Sequence, residues 1–321
     1  YFLDQCSITR FDIPTGENMP GFDVSGNNCE TALAVGDAGD VFTIESLRVF
    51  RTRFQSGSAS TEHFAGSGSA DASGDGGAAT DAGMNPEILA FDEVTNALLI
   101  WGNQRLRRVD LETGTIETLI DRQGFTVTDL SVAPDGDIYL AVNGTRVYRF
   151  TRSTGQLQRI AGNGQRETSG NGGPPAEAGL QVTHLAIDSK GNVYFSNFLY
   201  GFNSLILEKQ IRKIDLEFNL VSTVVGLPGF LNCARHTSET IWVPQAIGVD
   251  ENGIVYAYAS GAVLAIDYFT EQIYSVAGLY NAFGETADGE LAFGNPLNVN
   301  ALGWSSMAVN GRGDILVTEE D

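Results

Sequence analysis

Apolar residues recur along this chain in short pulses, and successive pulses are split by a turn built on Gly or Asn. The pattern small–apolar–x–x–x–Gly–x–apolar–apolar reads AVGDAGDVF at Ala34–Phe42, SVAPDGDIY at Ser131–Tyr139 and AIDSKGNVY at Ala186–Tyr194. It recurs as GVDENGIVY at Gly248–Tyr256 and AVNGRGDIL at Ala308–Leu316, and AFDEVTNALL at Ala90–Leu99 fits with one extra residue. Runs this short, bounded by residues that accept positive φ, predict strand–turn–strand units rather than helices.

A third strand follows five of the six copies: LRVF from Leu47, LRRVD from Leu106, VYRFT from Val147, IRKID from Ile211 and VLAID from Val263. The sixth stands at the other end of the chain, ITRFD at Ile8–Asp12, so ILVTEED and YFLDQCSITRFDIPTG together make one unit. A fourth strand closes most units: EHFAG, TIETLI, QLQRIAG, LVSTVVG and QIYSVAG. The unit shared between the termini lacks a clear fourth strand, ENMPGFDV being a poor candidate.

Units whose first and last pieces complete each other predict an all-β ring: a six-bladed β-propeller with four-stranded blades, closed by pairing of the N-terminal strand with the C-terminal strands. The predicted blades span 31–66, 87–121, 128–162, 183–226, 245–278, and 305–321 completed by 1–24, in a single domain covering 1–321. Burying Phe2, Ile8, Phe11 and Ile13 with the terminal strand would contribute about 6–12 kcal/mol as an upper bound.

At this level the residues resemble NHL repeats. The stretch LAIDSKGNVYFSN…IRKIDLEFNLVSTVVG, Leu185 to Gly226, is similar to that family's pattern, and SGDGGAATDAG resembles a glycine-rich segment found between such repeats. The resemblance implies the propeller fold and says little of activity. Two departures stand out. The ADTGNHR stretch usual after the second strand is missing in most copies, and SNFLYGFNSLILEKQ (Ser196–Gln210) puts a longer aromatic insertion there.

The glycine-rich sentence is written twice, GSGSADASGDGGAATDAG from Gly66 and GNGQRETSGNGGPPAEAG from Gly162, with a looser version from Gly278. These read as connections from the last strand of one blade to the first of the next. The alternative is calcium: Asp71, Ser73 and Asp75 with Gly76 follow the alternating oxygen-ligand order of a cation loop, and Glu167, Ser169 and Asn171 repeat it. Neither copy has a Glu at the twelfth position, which disfavours a helix–loop–helix calcium hand.

Forty acidic residues against 19 basic ones give a formal charge of −21. Such a surface disfavours nucleic acid and anionic membrane, and suits cations or a basic partner. No apolar run is long enough for a membrane-spanning helix. The chain begins at Tyr1 without Met, which is read as a processed product and favours export to an extracellular or periplasmic location. Of the three cysteines, Cys6 and Cys29 are the likelier disulfide in an oxidising compartment, leaving Cys233 over.

In a propeller, the start of each first strand marks the mouth of the central channel. Those positions offer Asp129 and His184 in adjacent blades, with Glu87 nearby. The pair could serve as acid and base, or with a metal at the mouth of a hydrolase or lyase. It also reads as a hydrogen-bonded strand start. His236 with Cys233 is a weaker nucleophile pair, and His63 reads as structural. NGT at Asn143 reads as a hairpin turn as well as a glycosylation acceptor.

The long connections carry aromatics: Phe198, Tyr200 and Phe202 in one, Phe230 and Trp242 around the next, Tyr280, Phe283, Phe293 and Trp304 in the third. Aromatics with polar neighbours on loops suit a protein or glycan partner, and equally suit lids folded over the channel. The function expected is an exported, non-catalytic scaffold that needs no cofactor. The shared terminal unit also permits strand exchange between molecules, hence self-assembly into fibres.

Overall fold

The computed structural model describes residues 6–12, 17–24, 33–36, 39–55, 58–200, 206–226, 246–250, 253–259, 262–267, 272–278, 307–309 and 315–320. Two compact units emerge, Tyr1–Phe125 with Val276–Asp321, and Thr126–Ser275.

The first unit holds three antiparallel four-stranded sheets. One joins the chain ends: β1 (Cys6–Asp12) lies between β2 (Glu17–Val24) and β24 (Ile315–Glu320), and β24 pairs in turn with β23 (Met307–Val309). The register runs from Cys6 opposite Glu320 to Phe11 opposite Ile315. Head and tail therefore share one sheet. The second sheet runs β3 (Leu33–Val35), β4 (Val41–Glu45), β5 (Arg48–Gln55), β6 (Ser58–Ala65). The third runs β7 (Pro86–Asp92), β8 (Ala97–Gly102), β9 (Arg105–Asp110), β10 (Ile116–Asp121).

The poor candidate ENMPGFDV is a strand after all. Its pairing with β1 is bulged: Ile8 faces Phe22 and Arg10 faces Met19, so Pro20 and Gly21 fall in the irregularity. A proline that cannot donate to a ladder is tolerated in a bulge on an outermost strand.

The second unit repeats the arrangement: β11 (Val127–Val132), β12 (Ile138–Val142), β13 (Arg146–Thr151), β14 (Gln156–Ala161); then β15 (Val182–Ile187), β16 (Val193–Tyr200), β17 (Ile206–Asp215), β18 (Leu220–Val225). A last sheet has β19 (Ala246–Val249), β20 (Val255–Ala259), β21 (Ala262–Asp267) and β22 (Gln272–Gly278), whose end crosses the unit boundary.

Sheets pack face to face within each unit. Phe42 and Val49 share a core with Leu89, Leu98 and Ile100. Tyr139, Ala141 and Val147 share another with Leu185, Val193 and Phe195. Ala186, Tyr194 and Ile211 meet Ile247, Val255 and Ile266 in a third. Second strands are covered on both sides, so ALLIWG in β8 and IYLAV in β12 are buried at every residue. Outer strands are less covered: in IETLID of β10 only Ile116 and Ile120 are buried. Four-stranded antiparallel blades stacked this way make a β-propeller.

Candidate functional site

The predicted site residues Asp129 and His184 sit at the starts of β11 and β15, two first strands that lie against each other. Each position falls at a bulge. The register slips between Val127 and Asp129 on β11, and between Val182 and Leu185 on β15. A bulge frees backbone groups from the ladder and re-aims side chains. Glu87 occupies the corresponding slip between Pro86 and Ile88 on β7, where partial desolvation raises its carboxyl.

Asp129 uses the freed amides. Its Oδ1 accepts from Leu130 N at 2.9 Å and its Oδ2 accepts from Leu185 N at 2.7 Å. Thr128 Oγ1 donates across the same seam to the Val182 carbonyl at 3.3 Å. Burial outweighs the two amide bonds and pushes the Asp129 carboxyl up to about 7.

His184 is held from its own sheet. Its Nδ1 lies 3.1 Å from Thr183 Oγ1 and 3.2 Å from Ser196 Oγ, and its backbone N donates to Ser196 Oγ at 3.0 Å. Thr183 and Ser196 hydroxyls are 2.6 Å apart. Burial lowers the imidazole to about 4, so the ring is neutral at physiological pH.

An Asp–His ion pair would lower the acid and raise the base. Both groups shift the other way. The structure brings Asp129 and His184 to adjoining strands but spends the carboxylate on Leu130 and Leu185, not on the imidazole. The Asp129 carboxyl thus bridges two adjoining first strands, beside a neutral histidine.

The glycine-rich stretches place their paired glycines, 96 residues apart, in the same left-handed backbone region. Gly66 and Gly162 have φ of 94° and 89°, Gly74 and Gly170 of 93° and 79°. A side chain at Gly83 would collide with Asp71, and one at Gly179 with Glu167. The cation serving the first stretch is a guanidinium. Arg107, 3% exposed, donates to Asp75 Oδ1 at 2.6 and 3.0 Å, to Gly83 O at 2.9 Å and to Ser73 O at 2.9 Å. Arg212, 1% exposed, repeats this on Gly179 O at 3.1 Å and Ser169 O at 2.8 Å. Asp71 is exposed, and hydrogen bonds from Ser73 keep its carboxyl below the usual range. Among the described residues no group of three His, Cys, Asp or Glu side chains could hold a metal ion. The arginine latch was not visible in the local spacing, because the cation comes from a strand 32 residues downstream of Asp75.

Phe198 and Tyr200 were expected in a loop. They lie instead on β16, which continues past the blade as a hairpin, Phe198 opposite Lys209 and Tyr200 opposite Ile206. Phe202, Phe230, Trp242, Tyr280, Phe283, Phe293 and Trp304 fall outside the described residues, as do Cys29, Cys233 and His236. Cys6 lies on β1. Asn143 and Gly144 both have positive φ, 54° and 62°, the two-residue turn expected there.

No family model matches the chain, and no curated protein sequence matches it either. Solved structures do. A gluconolactonase from Xanthomonas campestris is similar over 90% of this chain and 85% of its own, at 14% identity and a TM-score of 0.50. An auxiliary nutrient binding protein from Bacteroides thetaiotaomicron is similar over 99% of this chain and 77% of its own, at 11% identity and a TM-score of 0.55. These likenesses support the propeller fold and, at such identities, nothing finer.

Proposed function

We propose that the chain is a six-bladed propeller of the NHL-repeat kind, closed through the sheet its termini share, and that it works as an exported, non-catalytic scaffold binding a protein or glycan on the face carrying its long connections. The observation that carries this reading is the β16–β17 hairpin, which extends the fourth blade with Phe198 and Tyr200 beyond the rest of its sheet. Blade strands need no such extension to pack. Paired main chain carrying aromatics offers a stiff platform with little ordering entropy to lose on binding. The commitment of Asp129 to two backbone amides also supports a structural rather than a catalytic role for that position. The charge of −21 favours a neutral or basic partner over nucleic acid.

The test is a full-length protein with residues 199–208 replaced by a two-residue Asn-Gly turn. Intact and shortened chains are compared on a glycan array and against a panel of purified extracellular proteins. Binding by the intact chain, lost in the shortened one at unchanged melting temperature, is expected. Equal binding by both, or no binding by either, overturns the reading.

A further inference from the structure

The sheets differ in what covers their outermost strands. In the β7–β10 sheet the preceding connection, 66–85, lies along the outer strand: Gly76 N donates to Ile116 O at 2.8 Å and Ile116 N donates to Gly77 O at 3.1 Å. In the β15–β18 sheet the connection 162–181 does the same, Gly172 N to Val221 O at 2.6 Å and Val221 N to Gly173 O at 3.0 Å. The β11–β14 sheet is preceded only by 122–126. At about 3.4 Å per residue such a connection spans about 17 Å, and returning from β14 to β11 across three strand spacings would alone take about 14 Å.

Leu157 on β14 holds the place of Ile116 and Val221. It faces Phe150 as Ile116 faces Val109 and Val221 faces Ile214. Alternate residues of an outermost strand turn both main-chain groups away from their neighbour. The amide and carbonyl of Leu157, and those of Arg159 after it, therefore point outward, and among the described residues no further backbone group meets them. An open edge of this kind accepts an added strand.

Charge selects the strand. Residues 138–166 hold Arg146, Arg149, Arg152, Arg159 and Arg166 and no Asp or Glu, in a chain with 40 acids against 19 bases. Arg149 is matched by Asp135 and Asp137. Among the described residues no carboxylate pairs with Arg146, Arg159 or Arg166. Arg159 donates to the neutral Gly162 carbonyl at 3.0 Å, and Arg146 lies against the Gly164 backbone. Two unmatched guanidiniums thus stand at the end of β14, and Arg166 follows in the connection that leaves it. Arg159 and Arg166 are exposed.

We propose that the β14 edge takes an acidic peptide segment as an added strand, its main chain bonded to Leu157 and Arg159 and its carboxylates set on Arg159 and Arg166. The covers on β10 and β18 show what such an edge accepts, since both are glycine-rich main chain, and the first brings a carboxylate, Asp75, onto Arg107. The chain's overall negative charge repels an acidic partner at long range. At physiological ionic strength that repulsion is screened beyond about 8 Å, so the arginines decide at contact. This surface is separate from the β16–β17 hairpin, and neither reading depends on the other.

The test uses full-length, 15N-labelled protein and a synthetic peptide alternating Asp and Val over eight residues. The Leu157 and Arg159 amide resonances are expected to shift on titration, and their hydrogen exchange to slow. A peptide with Lys in place of Asp should not bind. A fully N-methylated acidic peptide, which keeps the charge and loses the donors, should bind about tenfold more weakly. Arg159→Glu is expected to weaken the unmodified acidic peptide by about tenfold or more. If that variant fails to fold, Arg166→Glu, in the exposed connection, should act in the same direction. No binding of the acidic peptide overturns the proposal and leaves the arginines as guards that keep the edge from pairing. Equal binding of the methylated peptide would mean attraction by charge without an added strand, and binding of heparin but not of the peptide would mean an anionic glycan; either result overturns it as well.

Discussion

The Asp129 carboxylate accepts the backbone amide of Leu185 at 2.7 Å, so the first strand of one blade is fastened to the first strand of the next by a side chain. Beside it His184 is half-buried and neutral. The two groups have opposite consequences for stability. Unfolded histidine takes a proton near 6.5, whereas His184 refuses one until about 4, so its contribution falls as pH drops through that window. An unfolded aspartate ionises near 3.8, whereas Asp129 keeps its proton to about 7, so its contribution falls as pH rises from about 4 to 7. Between about 4 and 6.5 the two slopes oppose each other.

Removing one group should expose the other. Relative to wild type, Asp129→Asn is expected to gain stability as pH rises from 4.5 to 6.5, with a limiting slope of about 1.4 kcal/mol per pH unit. His184→Gln should show the reverse slope. Urea melts at half-unit pH steps measure both. Variant curves parallel to wild type would show that neither side chain is buried as described.

Arg107 carries the fold of the first glycine-rich stretch, since one buried guanidinium reaches a carboxylate and two carbonyls. Arg107→Ala is expected to cost about 2–4 kcal/mol, because it strands those acceptors. Arg107→Lys should recover little of this, since a single ammonium cannot reproduce the planar fork. EDTA should leave the melting temperature unchanged, as the latch is part of the chain. A lowered temperature on chelation would return this loop to calcium.

Gly83 and Asp71 are expected to behave as a coupled pair. Gly83→Ala puts a methyl group into the Asp71 carboxylate, and the double variant with Asp71→Ala should be more stable than Gly83→Ala alone. At Gly66, where φ is positive and the obstacle is the Leu47 carbonyl, no side-chain change should rescue alanine. Thermal melts of the four variants decide it; additive losses at Gly83 and Asp71 would remove the coupling.

Residue type and local spacing made the hairpins, the shared terminal sheet and the linkers legible. Features that depend on a distant partner were not. The bond of Asp129 to a backbone amide 56 residues away left no mark in the sequence, because every residue type but proline has such an amide. Arg107, which holds the Asp75 carboxylate, could not be read beside Asp71–Ser73–Asp75 because it arrives from another strand. The β2 strand was hidden by Pro20–Gly21, whose weak strand propensity matters little inside a bulge at a sheet edge. The β16–β17 extension was hidden because GFNS at 201–204 reads as a loop, whereas the strands on either side of it pair.

The pairing of β1 with β24 joins the two ends of the chain in one sheet. Without β1, β24 would present an open edge and β2 would lose its neighbour. Deleting residues 1–14 is therefore expected to unfold the chain or drive it into oligomers, measured by calorimetry and light scattering. A cooperatively melting monomer would contradict the shared sheet. Whether one chain or two build that sheet has its own test. Cys6 faces Glu320 across the two strands, so Glu320→Cys sets a thiol opposite a native one. Oxidation should yield a disulfide-closed monomer on a non-reducing gel. A ladder of covalent oligomers would instead mean that the strand is exchanged between neighbours, the arrangement that builds fibres.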